Sequence, residues 1–217
     1  MKSNRPVVFL GPSLPLTEAV RILDADYRPP IKRGDIDGLL SDPPPAIGII
    51  DGEFFQNLAI SPKEVLRGLE SGITIAGASS LGALRAAELH QYGMIGVGTV
   101  FHLYRSGRID ADDEVAVVLS PGDFRPLSEA MVNIRLAFTQ ARADGLIDRR
   151  TCRRLLQSAK SMYFPERSYA NLWKKNAWWL PADTASTLRQ YLAERAPDVK
   201  RDDARLLLRE ICRVMAV

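Results

Sequence analysis

The 217-residue sequence is 46% hydrophobic and 25% charged with a formal net charge of +3, a composition that can bury a full core and excludes a disordered chain. No apolar run approaches the ~20 residues a bilayer-spanning helix needs, and the run after Met1-Lys2-Ser3-Asn4-Arg5-Pro6 is too short for a signal peptide, so a cytoplasmic, membrane-free protein is expected. The charge is split: up to Phe124 there are 11 Lys and Arg against 16 Asp and Glu (net −5), and from Arg125 onward 18 against 10 (net +8). An excess of this kind is ordinarily a solvated surface, and without a recognised binding motif nucleic acid is not an expected partner.

Val7-Val8-Phe9-Leu10 reads as a buried strand ending at Gly11-Pro12-Ser13, with a short helix from Thr17 to Leu23. Tyr27 to Ile31 carries Pro29 and Pro30 and can only be an edge strand. A short helix is expected from Gly34 to Leu40, before the rigid Pro43-Pro44-Pro45 connector. Ala46 to Ile50 is the next apolar strand, ending in Asp51-Gly52-Glu53-Phe54-Phe55. Ser61 as N-cap, Pro62 at the first position, Glu64 closing a capping box and Gly72 as the stop define the helix that follows.

Residues 73 to 93 organise the rest. A β-branched run, Ile73-Thr74-Ile75, passes through Ala76-Gly77-Ala78-Ser79-Ser80 into the helix-favouring Leu81 to Leu89, giving strand, tight turn, helix. Three glycines, Gly93, Gly96 and Gly98, then predict a sharply bent loop, and Val115 to Leu119 reads as a last strand ending at Ser120-Pro121-Gly122. Five helices follow: Ser128 to Arg142, Arg149 to Met162, Ser168 to Trp178, Ala182 to Arg195 and Asp202 to Met215. The expected architecture is α/β, a mostly parallel open sheet with crossover helices over residues 1–124, then an α-helical C-terminal bundle or cap over 125–217.

In such sheets ligands bind outside the carboxyl ends of the strands, which gathers Gly11-Pro12-Ser13, Asp51-Gly52-Glu53 and Gly77-Ala78-Ser79-Ser80 on one rim. The turn is a variant of the nucleophile elbow in ambiguous register. Centring Ser80 puts Ala78 at the first small position; centring Ser79 uses Gly77 but leaves Leu81 where the second glycine belongs. Alternatively both serines only cap the helix. Asp51 or Glu53 could orient a base, bind a substrate ammonium or hold Mg²⁺, or else serve as an Asx-type turn and a surface acid. Arg85 and Glu88 can pair with each other at their three-residue spacing, or Arg85 can turn to an anion in the cleft. Of the two histidines, His90 lies roughly 15 Å down the helix from the turn by its rise, so His102 is the better candidate base.

No cofactor or metal is expected. The acidic run Asp110 to Glu114 lacks calcium-loop spacing and reads as a solvated turn or a hydrogen-bonding element, and neither phosphate-binding glycine pattern occurs. Cys152 and Cys212 lack metal-ligand spacing and read as reduced core residues. Trp173, Trp178 and Trp179, with Lys174 and Lys175, read as a partner surface or as helix packing.

Val8 to Leu14, Ile50-Asp51-Gly52-Glu53-Phe54, Gly77 to Leu89, Tyr92 to Gly98 with Tyr104, and Asp112 to Ala116 occur in order and together resemble the TfuA-like core domain over about residues 6 to 122. The helical part resembles the tail such proteins often carry, with the weaker motif Tyr163-Phe164-Pro165-Glu166-Arg167. The resemblance implies a role beside a YcaO-type cyclodehydratase in making peptide backbone thioamides, in which the TfuA-like protein assists sulfur supply. On that basis a ubiquitin-like sulfur carrier protein is an expected partner, and a precursor peptide another. Sulfide would be released from a carrier thiocarboxylate by serine-based acyl transfer at Ser79 or Ser80, with the helix N-terminus holding the oxyanion. The rival expectation is a non-catalytic adaptor that binds carrier or peptide and activates its YcaO partner allosterically.

Overall fold

The computed structural model describes residues 5–54, 58–120 and 125–216. The turn expected at Pro121-Gly122, Phe55, and the leading Met1 to Asn4 lie outside them. The described residues form two compact units: 1–112 with 200–217, and 113–199.

The first unit is built on a five-stranded, all-parallel sheet: β1 (Val7–Phe9), β2 (Asp26–Arg28), β3 (Ala46–Ile49), β4 (Thr74–Gly77) and β5 (Ile95–Gly96), in the spatial order β2-β1-β3-β4-β5. β1, β3 and most of β4 are buried on both faces, which is why they read as continuous apolar runs rather than alternating ones. The proline-bearing segment contributes the edge strand β2, as its missing donors require.

Four helices follow strands in this unit: α1 (Leu16–Ala19), α2 (Pro62–Glu70), α3 (Leu81–Leu89) and α4 (Gly98–Arg105). Ser61 caps α2 by accepting from Glu64 N at 3.3 Å. The other half of the expected capping box is replaced: the buried Glu64 carboxylate accepts from the backbone of Gly34 (2.9 Å) and Ile36 (3.0 Å), fixing the turn before the 3-10 segment Asp37–Leu39. Gly68 lets α2 approach the sheet, since a Cβ there would come within 2.8 Å of Ile75 Cδ1.

Two expectations for this stretch are corrected. The glycine-rich loop contains the fifth strand, because Gly96 pairs with Gly77 and a side chain at 96 would strike the Phe101 ring at 2.2 Å. Val115 to Leu119 forms no strand: Leu119 makes an isolated antiparallel bridge to Pro126, and Val118 N donates to Ser128 Oγ at 2.9 Å.

The second unit carries α5 (Met131–Ala143), α6 (Arg149–Lys160), α7 (Tyr169–Asn176) and α8 (Ala182–Arg195) around a core of Met131, Ile134, Phe138, Leu155, Leu172 and Leu188. Arg167, fully buried, donates to the carbonyls of Ala159, Met162 and Asp113 and to the Asp113 carboxylate. Lys160 pairs with Asp113 and Glu114, and Arg135 grips Glu114 at 2.7 and 2.8 Å. The end of the acidic run is thus a hydrogen-bonded anchor. The last helix, α9 (Val199–Met215), belongs to the first unit: Ala204, Leu207, Leu208 and Ile211 pack with Val8, Ile50 and Ala76, and Ile211 fills the space over Gly48. Its Asp203 carboxylate accepts from Thr99 N (2.8 Å) and Val100 N (2.7 Å), capping α4 from outside that helix. Among the described residues no helix is long and apolar enough to cross a membrane.

Candidate functional site

The strand order reverses between β1 and β3, so the loops after these two strands flank the crevice where a doubly wound sheet holds ligands. Asp51 closes it. The buried carboxylate accepts from Gly11 N (2.9 Å), Ser13 N (3.1 Å) and Ser13 Oγ (2.6 Å) and so binds the two loops together. A Cβ at Gly11 would lie 2.6 Å from the Pro30 ring, so Gly11 and Pro12 form the tight base of this turn. Asp51 is a positioning group for the rim, its acceptor capacity turned onto the backbone.

The neighbouring strand end differs. Ser79 adopts φ +68°, the left-handed conformation, and is the only described non-glycine residue to do so. It is fully buried and its Oγ has no hydrogen-bond partner among the described residues. Both properties cost free energy: roughly 1–2 kcal/mol for a left-handed L-residue and about 1–3 kcal/mol for an unpaired buried hydroxyl. Ser80 takes the N-cap position of α3 without making a capping hydrogen bond, so the two-serine cap does not form.

The register is explained by backbone approach. A Cβ at Gly77 would meet the Gly82 carbonyl at 2.2 Å, and one at Gly82 would meet the Ile49 carbonyl at 1.8 Å. Glycine is therefore needed at 77 and 82, the two places where β4, α3 and β3 touch, while Leu81 is tolerated between them. Ser80 N is tied to the Ala78 carbonyl at 2.8 Å; the amides of Ser79 and Leu81 make no hydrogen bond among the described residues and stand at the positive end of α3.

Gly52 sits against Leu81, with a Cβ there only 2.3 Å from Leu81 Cδ2, which brings the loop bearing Glu53 to the start of α3. Glu53 is half-buried and its backbone N–H donates to Ile31 O at 3.0 Å, while its carboxylate is untethered among the described residues. Arg85 is engaged within its own surroundings, donating to the Ile60 carbonyl at 3.0 Å and to the Glu88 carboxylate at 2.7 Å. Tyr104 is buried and donates to Ala111 O at 2.9 Å. His102 is exposed on α4 with its ring tilted against Phe101, and no described hydrogen bond joins it to either serine. His90 contacts Ala87 O at 3.0 Å, and is spent at the end of α3.

The structure thus groups Ser79, Ser80, Gly52 and Glu53 about one helix N-terminus, ties Asp51 to Ser13, and commits Arg85, Glu88 and Tyr104 to packing. The left-handed Ser79 had no local signal, because serine is not a residue that favours that conformation. Among the described residues no cluster of metal-ligating side chains occurs.

A search of curated proteins finds no match. The profile described as TfuA-like protein matches residues 51–168, more than half of the chain, and takes in the Asp51 loop, the Ser79 turn and the Arg167 anchor. The chain therefore belongs to the TfuA-like family, which is linked to YcaO-dependent thioamide biosynthesis.

Proposed function

We propose that this chain supplies sulfide to a YcaO-type partner by hydrolysing the thiocarboxylate of a ubiquitin-like carrier, with Ser79 as nucleophile. The observation that carries the reading is the strained, unpartnered Ser79 hydroxyl beside free amides at a helix N-terminus. A serine held this way has nothing to lose by attacking, and the α3 amides favour the charge that develops on the carbonyl oxygen.

The chemistry balances with few groups. Ser79 Oγ bonds to the carrier's terminal carbonyl carbon, the C–S bond breaks, and the serine proton leaves on sulfur as HS⁻, so the leaving group itself takes the proton. Water then attacks the ester, regenerating serine and giving the carrier carboxylate and a proton. Glu53 is an untethered acid on the rim, on the loop that meets the start of α3 through Gly52 and Leu81, and is assigned to activate that water.

A second reading is favoured by burial. Ser79 has no exposed surface, and Asp51, Arg85 and Tyr104 are satisfied internally, as in an adaptor that grips a carrier tail without chemistry. Incubating the purified chain with thiocarboxylated carrier separates the two. Hydrolysis predicts sulfide release abolished by Ser79→Ala, reduced by Glu53→Gln and retained by Ser80→Ala, with an acyl adduct on Ser79 by mass spectrometry. Carrier binding without any sulfide release identifies the adaptor.

A further inference from the structure

The α5–α6 face of the second unit carries a feature unconnected with the serine turn. A groove of about 410 Å³ runs between these helices, within the size range of small-molecule sites, and no carboxylate lines it. Its polar walls are Arg135, Arg142, Arg149, Arg153 and Lys160, with Leu156 among its apolar residues. Arg135 and Lys160 at one end are engaged by Glu114. Arg142, Arg149 and Arg153 are exposed, and no acidic side chain pairs with them among the described residues.

Local rules make this placement costly. The α6 sequence Arg-Arg-Thr-Cys-Arg-Arg-Leu-Leu-Gln-Ser-Ala-Lys contains five cations and no acid. Arg149 occupies its first turn, where the helix dipole disfavours positive charge, and Arg149 and Arg153 stack at a four-residue spacing that repels like charges by some tenths of a kcal/mol. Neither placement helps the helix fold, and Asp148 already supplies its N-cap. A bound anion would reverse both penalties.

We propose that this groove binds a small ligand bearing adjacent phosphate groups, either inorganic pyrophosphate or the diphosphate portion of a nucleotide. Three uncompensated guanidinium forks around one small concavity match the dense charge of a diphosphate, which each fork can engage in bidentate fashion. Carboxylates along an extended acidic peptide are spread more widely than the groove.

The test is calorimetric titration of the full chain with pyrophosphate, ATP, orthophosphate and a glutamate-rich peptide at one low ionic strength, for wild type and for Arg149→Gln/Arg153→Gln. Saturable pyrophosphate binding at least tenfold tighter than orthophosphate, and at least tenfold weaker in the double variant, is the expected result. ATP binding as tightly as pyrophosphate identifies the nucleotide as a source; pyrophosphate alone identifies the free diphosphate. Both substituted side chains are exposed and unpaired and oppose the helix where they stand, so a melting temperature at or slightly above wild type will confirm an intact fold. Equal affinity for orthophosphate, tighter binding of the peptide, no saturable pyrophosphate binding, or an unaffected double variant overturns the proposal.

Discussion

Replacing Ser79 by glycine should make the protein more stable and less active. The left-handed backbone at φ +68° costs an L-residue roughly 1–2 kcal/mol, and glycine adopts it freely. Removing the buried Oγ also deletes an unpaired hydroxyl worth about 1–3 kcal/mol. Against this stand the extra entropy of glycine in the unfolded chain, about 0.5–1 kcal/mol, and the lost burial of one small group, about 0.8 kcal/mol. The balance is a gain of about 1–2 kcal/mol, or about 2–8 °C in Tm for a chain of this size. Ser79→Ala keeps the strain and loses only the unpaired hydroxyl, so it too should melt above wild type. Thermal melts and sulfide-release assays on the three proteins check both halves. A Tm order with wild type highest would refute the argument that Ser79 stores strain, and wild-type sulfide release by either variant would refute its role as nucleophile.

Arg167→Met should cost about 3–5 kcal/mol by chemical denaturation, because the half-buried Asp113 loses its buried guanidinium partner and three carbonyls lose their donor. Gly82→Ala should prevent accumulation of folded protein, since its Cβ would sit 1.8 Å from the Ile49 carbonyl, a backbone atom that cannot move aside. Two groups of acids should leave separable marks on the pH dependence of stability. Burial pushes Asp203 up to about 6, against the pull of the Val100 and Thr99 amides. In the folded state it therefore holds a proton that the unfolded chain releases above about 4, so its contribution, up to about 3 kcal/mol, falls as pH rises from about 4 to 6 and is flat above. Asp203→Asn should flatten that window in a Tm-against-pH series. Burial raises Asp113 and Glu114 as well, but the hydrogen bonds from Lys160, Arg167 and Arg135 prevail and hold both below the usual carboxylate range. Their stabilisation is present above the ordinary carboxylate pKa and is lost as pH falls below it, so the same series should drop below about pH 4.

The strands and the turn were legible because they rest on local chemistry. Continuous apolar runs marked β1, β3 and β4, and the prolines after Tyr27 marked an edge. Small residues between Ile75 and Leu81 marked the strand-to-helix junction. What escaped depended on partners distant in sequence. Val115 to Leu119 has strand propensity but makes only an isolated bridge, at Leu119, among the described residues, while the weakly strand-forming Ile95-Gly96 gains its place from Gly77 across the ladder. Glu64 fits a capping box by spacing, yet amides 28 and 30 residues earlier compete for it and win. At the candidate site, the serine pair was visible and its register was not, since Gly77 and Gly82 are fixed by the approach of three backbones. Asp51 likewise looked available to a substrate until Ser13, 38 residues away, was seen to occupy it.

The packing of α9 on the sheet has a consequence for how the chain is made. Residues 113–199 form one uninterrupted unit, whereas the first unit needs Ala204, Leu207, Leu208 and Ile211 to cover Val8, Ile50 and Ala76. During synthesis the second unit can therefore be complete while the sheet still shows an uncovered apolar face. The strand ends that carry Ser79 and Asp51 are among the first segments to emerge and among the last to be locked, because the contacts that finish their support span almost the whole sequence.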